Sequence, residues 1–354
     1  MAVFPLLADV ANYRACDSDL LTDHYARSYW LDLFASHLEL HIGSAELLGI
    51  PRDGLIRANA ALNQELARIR KHPDRHGRLD ILLLTDLYRA ALAAEGITDE
   101  FHLVKGRENE AALGTLPKRL EELDRLDDGP RFDSLIRGLL AGNLFDMGVE
   151  ETARHYANNS VPFDEALASL PARPWLVDDL GEAREGWVAE PARRTIIFAD
   201  NAGADIVLGV LPLARELLRR GGEVVIAANA GPALNDVTFR EVESIIDHAA
   251  AADAIFHDER LSVVSSGCEA PLIDLMSVSD DLVRAARGVD LVVLDGMGRA
   301  IESNYLARFT CPCWRVAMLK DPQVARSIGG KRYDAVFRAS AAGGGPRNGD
   351  KYNY

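Results

Sequence analysis

Three oxygen-bearing side chains stand at two neighbouring breaks in the chain: Asp200 and Asn201 follow the apolar run 195–199, and Asp236 comes shortly after the apolar run 224–228. Between the runs, Ile206, Leu208, Val210, Leu211, Leu213, Leu217 and Leu218 lay out a mostly apolar helical face, which Gly221 and Gly222 stop. The pattern predicts strand, helix, strand, with the two strands parallel and joined by a right-handed crossover. Polar residues just past the carboxyl ends of strands lie where open α/β sheets place their ligands. Two carboxylates and one amide are hard donors and few in number. They leave positions for water and a phosphate oxygen around one Mg²⁺ or Mn²⁺ ion. Each aspartate alone reads more simply as a helix cap; as a pair on consecutive strand ends beside Asn201, they favour a cation site.

A second group follows the apolar run 289–294. In Asp295-Gly296-Met297-Gly298-Arg299, glycines would let backbone N–H groups approach a phosphate at the start of an expected helix. Arg299 offers a fork for phosphate oxygens; its plain alternative is a surface salt bridge. The third glycine of a dinucleotide fingerprint is missing, because Ile301 stands there, and the run comes late in the chain. Lys320 ends another expected strand on the same rim and can neutralise a phosphate oxygen or stand in solvent. In the expected helix near 132–148, Asn143 and Asp146 share a face. Gly138 and Gly142 on that helix admit another backbone, so the face reads either as tight packing or as a wall of the site. Asp274 reads as a turn residue or a site neighbour, 105–109 as a helix start with a cap, and His72 and His76 as part of a solvated turn. No GxSxG, P-loop or HExxH motif occurs. Asp200 is followed by Asn-Ala-Gly, unlike the DxDx[TV] pattern of aspartyl-phosphate enzymes, which favours direct attack by an activated water.

The elements that must position these residues fall into two kinds. Residues 1–125 read as helical: Tyr29, Trp30, Leu33, Phe34 and Leu38 recur at helix spacing, as do Leu55, Ile56, Leu62, Leu66 and Ile69. Residues 161–192, with Pro162, Pro171, Pro174, Trp175, Trp187 and Pro191, read as a connector or short hairpin. Strands are then expected at 195–199, 224–228, 289–294, 314–319 and 333–338, with helices at 239–252 and 279–287. The expected architecture is a three-layer, doubly wound, mostly parallel α/β sheet with an N-terminal helical domain. Its bounds are a helical domain over 1–160, a connector over 161–192, an α/β domain over 193–340 and a disordered Gly-rich tail over 341–354. The 354 residues suffice for such a core. A formal net charge of −15 argues against nucleic acid or an anionic membrane surface as partner. Cys16, Cys268, Cys311 and Cys313 have no zinc or redox spacing and read as buried or free thiols. No run is long enough to span a membrane, and the N-terminus has no export signal, so a cytoplasmic location is expected. Nothing in the sequence specifies an oligomeric state.

Four stretches taken together resemble the DUF89 damage-control phosphatases: 198–205 (Phe-Ala-Asp-Asn-Ala-Gly-Ala-Asp), 229–236 (Asn-Ala-Gly-Pro-Ala-Leu-Asn-Asp), 141–146 (Ala-Gly-Asn-Leu-Phe-Asp) and 295–299. The branch most resembled occurs as the C-terminal domain of pantothenate kinase 4 and as a plant 4′-phosphopantetheine phosphatase. The resemblance runs from about 81 to 338. It implies a metal-dependent phosphatase with an α/β domain and a helical partner, acting on a small-molecule phosphate ester such as 4′-phosphopantetheine or an oxidised form of it. Sugar phosphates are the neighbouring substrate class. By matching position, Asp200, Asn201 and Asp236 would hold the ion (Mn²⁺, Co²⁺, Ni²⁺ or Mg²⁺), and Asp200 would also orient or deprotonate water. Gly296, Gly298, Arg299 and Lys320 would hold the phosphate, with Asn143 and Asp146 walling the pocket. Asp295 stands where the branch has Glu, one methylene longer, which would change its reach toward substrate. Two other readings compete: a nucleotide-binding oxidoreductase built on the Gly-Met-Gly loop, and a non-catalytic metal or metabolite sensor.

Overall fold

The structure, a computed structural model, describes residues 1–16, 18–144, 163–189 and 192–345. The N-terminal segment is not helical as expected. Its first residues run extended across the far part of the chain, with bridges Ala2–Val278 and Leu7–Phe309. Helices then follow in succession: α1 (His24–Gly43), α2 (Ala45–Leu48), α3 (Arg52–Lys71), α4 (Ile81–Ala93), α5 (His102–Asp124) and α6 (Asp128–Leu144). Local chemistry sets several of their starts. Asp23 accepts from Ala26 N at 2.9 Å to open α1, and Asp80 accepts from Leu83 N at 2.9 Å to open α4. The expected connector contains α7 (Phe163–Ser169), the two-residue strand β1 (Val177–Asp178) and α8 (Leu180–Ala189) in place of a hairpin. Asp146 lies outside the described residues, as does 346–354, most of the expected tail.

The remaining strands are β2 (Arg194–Phe198), β3 (Glu223–Ala228), β4 (Leu261–Ser265), β5 (Leu291–Asp295), β6 (Cys313–Met318) and β7 (Ala335–Ser340). Among the described residues they form a seven-stranded sheet in the order β1-β7-β6-β5-β2-β3-β4. Neighbours are parallel except β6 and β7, which are antiparallel. The chain leaves β2 toward β3 on one side and later returns to β5 on the other. The switch point of the winding is therefore the crevice between the carboxyl ends of β2 and β5.

Central strands buried on both faces read as continuous apolar runs, and alternate residues serve opposite layers. Ile196 and Phe198 of β2 join Val225, Val292 and Leu294 in a core built with Leu31, Leu55 and Leu84 of α1, α3 and α4. Ile197 joins Ile226, Val293 and Val316 in a second core with Leu116 of α5 and Leu139 of α6. The N-terminal helices thus pack directly on the sheet. The expected helix after β2 begins as a π-helical turn, Asp205–Val210, and continues as α9 (Leu211–Arg219). A second π-helical turn, Gly298–Glu302, follows β5. Helix α10 (Phe239–Ala249) follows β3, α11 (Asp280–Ala285) precedes β5, and α12 (Pro322–Ser327) follows β6. No helix among the described residues is long and apolar enough to cross a membrane.

Candidate active site

Asp200 and Asn201 leave β2, and Asp236 lies in the loop that leaves β3. These two loops are tied by a short antiparallel bridge between Asn201 and Asp236. Ala202 N donates to Asn235 O and Val237 N to Asp200 O, both at 2.9 Å. The three predicted oxygen donors are therefore held side by side by backbone geometry. Helix capping does not explain the aspartates. Thr238 is the N-cap of α10, in a reciprocal capping box with Glu241, and no side chain caps the turn that starts at Asp205.

Each carboxylate is closely held. Asp200 Oδ2 accepts from Asn143 Nδ2 and from Asn201 Nδ2, both at 2.9 Å. Asn143, fully buried on α6, also accepts from Met318 N of β6 at 3.2 Å. Asp236 Oδ2 accepts from Asn229 Nδ2 at 2.9 Å. Between the two carboxylates stands the Arg299 guanidinium. It donates to Asp200 Oδ1, to Asp236 Oδ2 at 2.8 Å and to Asn229 Oδ1 at 3.0 Å. Burial opposes the Arg299 charge, but Asp236 and Asp200 outweigh it and raise its pKa above the usual guanidinium value. Arg299 is therefore neither a surface salt bridge nor a free fork for phosphate. Its N–H groups go to the two aspartates, Asn229 and Pro271 O.

Asp295 also differs from expectation. Its carboxyl is fully buried and does not line the cavity described below. It meets Asp205, the first residue of the π-helical turn after β2. Burial first, then the charges of Asp205 and Asp200, push the Asp295 pKa well above the ordinary carboxylate value. That shift favours the protonated form of Asp295 beside Asp205. Asp205 in turn is pushed up to about 6, by burial and then by Asp200. Asp205 Oδ2 accepts from Asn201 N at 3.1 Å and Asn201 Nδ2 at 3.0 Å. With the Asn201 amide nitrogen committed to two carboxylates, its oxygen is the atom it can offer a ligand.

The glycines after β5 are closely packed on their Cα side, while Met297 and Gly298 line the cavity described below. Gly296 has φ +90°, and a Cβ there would fall 2.0 Å from Asp200 Cγ. Its N–H already donates to Val316 O at 2.9 Å. A Cβ on Gly298 would fall 2.3 Å from Pro271 O. Lys320 does reach the site: it follows β6 and lines the cavity, and its charge is felt by Asp205.

Several supporting residues escaped the sequence reading. The stretch 105–109 is not a helix start; it lies inside α5, behind the site. Lys105 has no exposed side chain, pairs with Asp99 at 3.1 Å and Glu241 at 3.0 Å, and lies 3.4 Å from Asp236 O. Asn109 Oδ1 accepts from Gly203 N at 2.7 Å. The missed signal was a lysine on the buried stripe Lys105, Ala112, Leu116, Arg119 and Leu123. Asp274 accepts from Met276 N at 2.9 Å, as a turn residue does.

Above Asp200, Asn201 and Asp236 opens a cavity of about 220 Å³, walled mainly by apolar and aromatic residues of α1 and α4, including Trp30, Phe34 and Tyr88. The donor set fits a hard divalent ion: oxygen atoms only, on two clamped loops, at the cavity's edge. Among the described residues no group of three or more His, Cys, Asp and Glu is arranged to hold a metal. This trio, by contrast, has an amide as its third member.

The fold and these side chains define an α/β enzyme with its polar centre at the switch point of a doubly wound sheet. The family model for the damage-control phosphatase ARMT1-like domain matches residues 45–336, and the chain belongs to that family. A relative named damage-control phosphatase At2g17340, from Arabidopsis thaliana, is 36% identical over 92% of this chain and 93% of its own length. Arabidopsis pantothenate kinase 2 is 38% identical over 96% of this chain and 42% of its own length. The mouse protein named 4′-phosphopantetheine phosphatase is 32% identical over 94% of this chain and 48% of its own length. The chain therefore spans less than half of those two relatives. A DUF89 family protein (ph1575) from Pyrococcus horikoshii has the same fold, with a TM-score of 0.63 at 17% identity over 91% of this chain and 99% of that one.

Proposed function

We propose that the chain hydrolyses a small-molecule phosphomonoester, using a divalent ion held by Asp200, Asn201 and Asp236. One observation carries the reading: two carboxylates and an amide from neighbouring strand ends are tied side by side and line one cavity. Bound there, the ion would polarise phosphoryl oxygens and acidify water. The chain's own residues do the rest. Both Asp200 oxygens already accept hydrogen bonds, so Asp200 suits a ligand better than a general base. Asn143 and Arg299 fix the direction of the carboxylates. Lys320 offsets phosphate charge as it builds in the transition state. The apolar wall takes the leaving group and excludes water from it. The name of the mouse relative supports 4′-phosphopantetheine as the substrate, with an oxidised form of it and sugar phosphates as alternatives.

The test is hydrolysis of p-nitrophenyl phosphate and of 4′-phosphopantetheine after chelation, with Mn²⁺, Co²⁺, Ni²⁺ or Mg²⁺ then restored one at a time. Activity should vanish on chelation and return with at least one ion. Asp200→Ala and Asp236→Ala should each lose on the order of a hundredfold or more of kcat/KM. Full activity in either variant would defeat the ligand assignment. A metal-binding protein that cleaves no phosphate ester would favour the sensor.

A further inference from the structure

We propose that the leaving group continues past Arg89 into a second cavity, and that Arg89 sets the preference for a long chain carrying hydrogen-bond acceptors. The proposal rests on the phosphatase reading above. The first cavity, at about 220 Å³, is smaller than the roughly 300–1,000 Å³ usual for small-molecule sites. A second, of about 450 Å³, shares Arg89, Ala233 and Leu234 with it. A phosphate ester with a short leaving group fits the first alone, whereas an extended chain needs both.

The boundary between them is fixed at one point and loose at another. Tyr88 lines the first cavity and Glu100 the second. Tyr88 Oη donates to Glu100 Oε1 at 3.0 Å, with His41 Nδ1 3.2 Å from the same hydroxyl, and all three residues are buried. Opening the wall there would strand buried polar groups at about 1–3 kcal/mol each. Arg89 differs. Its guanidinium pairs with Glu269 across the lip, with Asp86 3.9 Å away, and the Arg89, Glu269 and Asp86 side chains are 32%, 51% and 69% exposed. Such exposed pairs contribute little, so a ligand that offers Arg89 an acceptor displaces Glu269 readily. Arg89 is the sole cation among the described residues lining the second cavity, beside the acids Asp86, Glu100 and Glu269. A guanidinium donates and never accepts, so the chain it holds must present acceptors such as amide carbonyls. The substrate class that follows is an elongated phosphomonoester with hydrogen-bond acceptors part-way along its leaving group.

The test compares kcat/KM for 4′-phosphopantetheine, which has amide carbonyls along its chain, with that for p-nitrophenyl phosphate, using the Mn²⁺-loaded protein. Two variants are used: Arg89→Ala, and Ala90→Trp, which places a bulky ring at an exposed position lining the second cavity. In each, the long-to-short ratio should fall about tenfold, mainly through KM. An unchanged ratio in both overturns the proposal. Calorimetric binding of pantetheine, the leaving alcohol, needs no turnover. It should weaken about tenfold in Arg89→Ala, and equal affinity, or no binding to the unaltered protein, overturns the proposal too. Failure to cleave either ester, with pantetheine binding and its loss in Arg89→Ala intact, counts against the phosphatase reading and leaves the second cavity's role standing.

Discussion

Without Arg299, the Asp200 and Asp236 carboxylates would stay buried near each other with no cation between them. Arg299→Met should therefore cost on the order of 3–5 kcal/mol, the range for removing one partner from a buried ion pair, in urea unfolding without metal. Added Mn²⁺ should restore part of the loss, so the metal-induced gain in stability exceeds that of the unaltered protein. Equal gains would mean that the two carboxylates do not form the cation position. Asn143→Ala removes one of the two amide donors to Asp200 Oδ2 and takes away the acceptor of Met318 N. Metal affinity, read by titration, should fall about 10–100-fold, as it does when residues behind a ligand are lost. Affinity within twofold would show that Asn143 does not orient the ligand. The juxtaposition of Asp200, Asn201 and Asp236 was legible in the sequence because each follows an apolar run that ends at a strand's carboxyl end. The partners of Arg299 and Asp295 were not. Nothing in 295–299 tells that the turn folds back under β2, where the nearest charges are aspartates.

At the scale of elements, the site depends on how closely α6 approaches the π-helical turn after β2. A Cβ on Gly142 would lie 2.6 Å from Asp205 Cα, and one on Gly209 would lie 3.2 Å from Gly138 O. Backbone presses on backbone at this crossing, so neither side can yield by rotating a side chain. Gly142→Ala should destabilise by about 1–3 kcal/mol, typical of overpacking. It should also lower activity by displacing Asn143, the next residue. A variant with unaltered midpoint and kcat would show that the contact is slack. The glycine spacing on α6 made the close crossing legible. The π-helical geometry was not, because the run Asp-Ile-Val-Leu-Gly-Val does not distinguish a wide turn from an ordinary one. Nor does an apolar run reveal its direction, so nothing in 333–338 marked β7 as antiparallel to β6. With two residues, β1 is too short to carry a period.

Across the whole molecule, the layering was the most legible feature, since both faces of β2, β3, β5 and β6 must be apolar to sit between two helical layers. What the pattern hid is that α1 and α4 both cover the sheet and wall the cavity, so stability and the pocket share residues. His41 of α1 connects the two. It is buried against Tyr88, whose ring lines the cavity, and its pKa is lowered to about 3 by burial and then by the neighbouring His37. An unfolded histidine takes its proton near pH 6.5. Between about pH 6.5 and 3 the unfolded chain thus binds more protons at this position, and stability falls as the pH falls, by up to about 1.4 kcal/mol per pH unit. Glu100, on the other side of Tyr88, acts in the opposite sense. Burial raises its pKa, so protonation on acidification favours the folded chain. His41→Phe removes the first contribution and keeps the second, since Tyr88 still donates to Glu100. Urea midpoints taken from pH 7 to pH 4 should therefore fall less steeply in His41→Phe than in the unaltered protein. Parallel slopes would mean that His41 takes up its proton without unfolding, and that the wall behind the cavity is open to water.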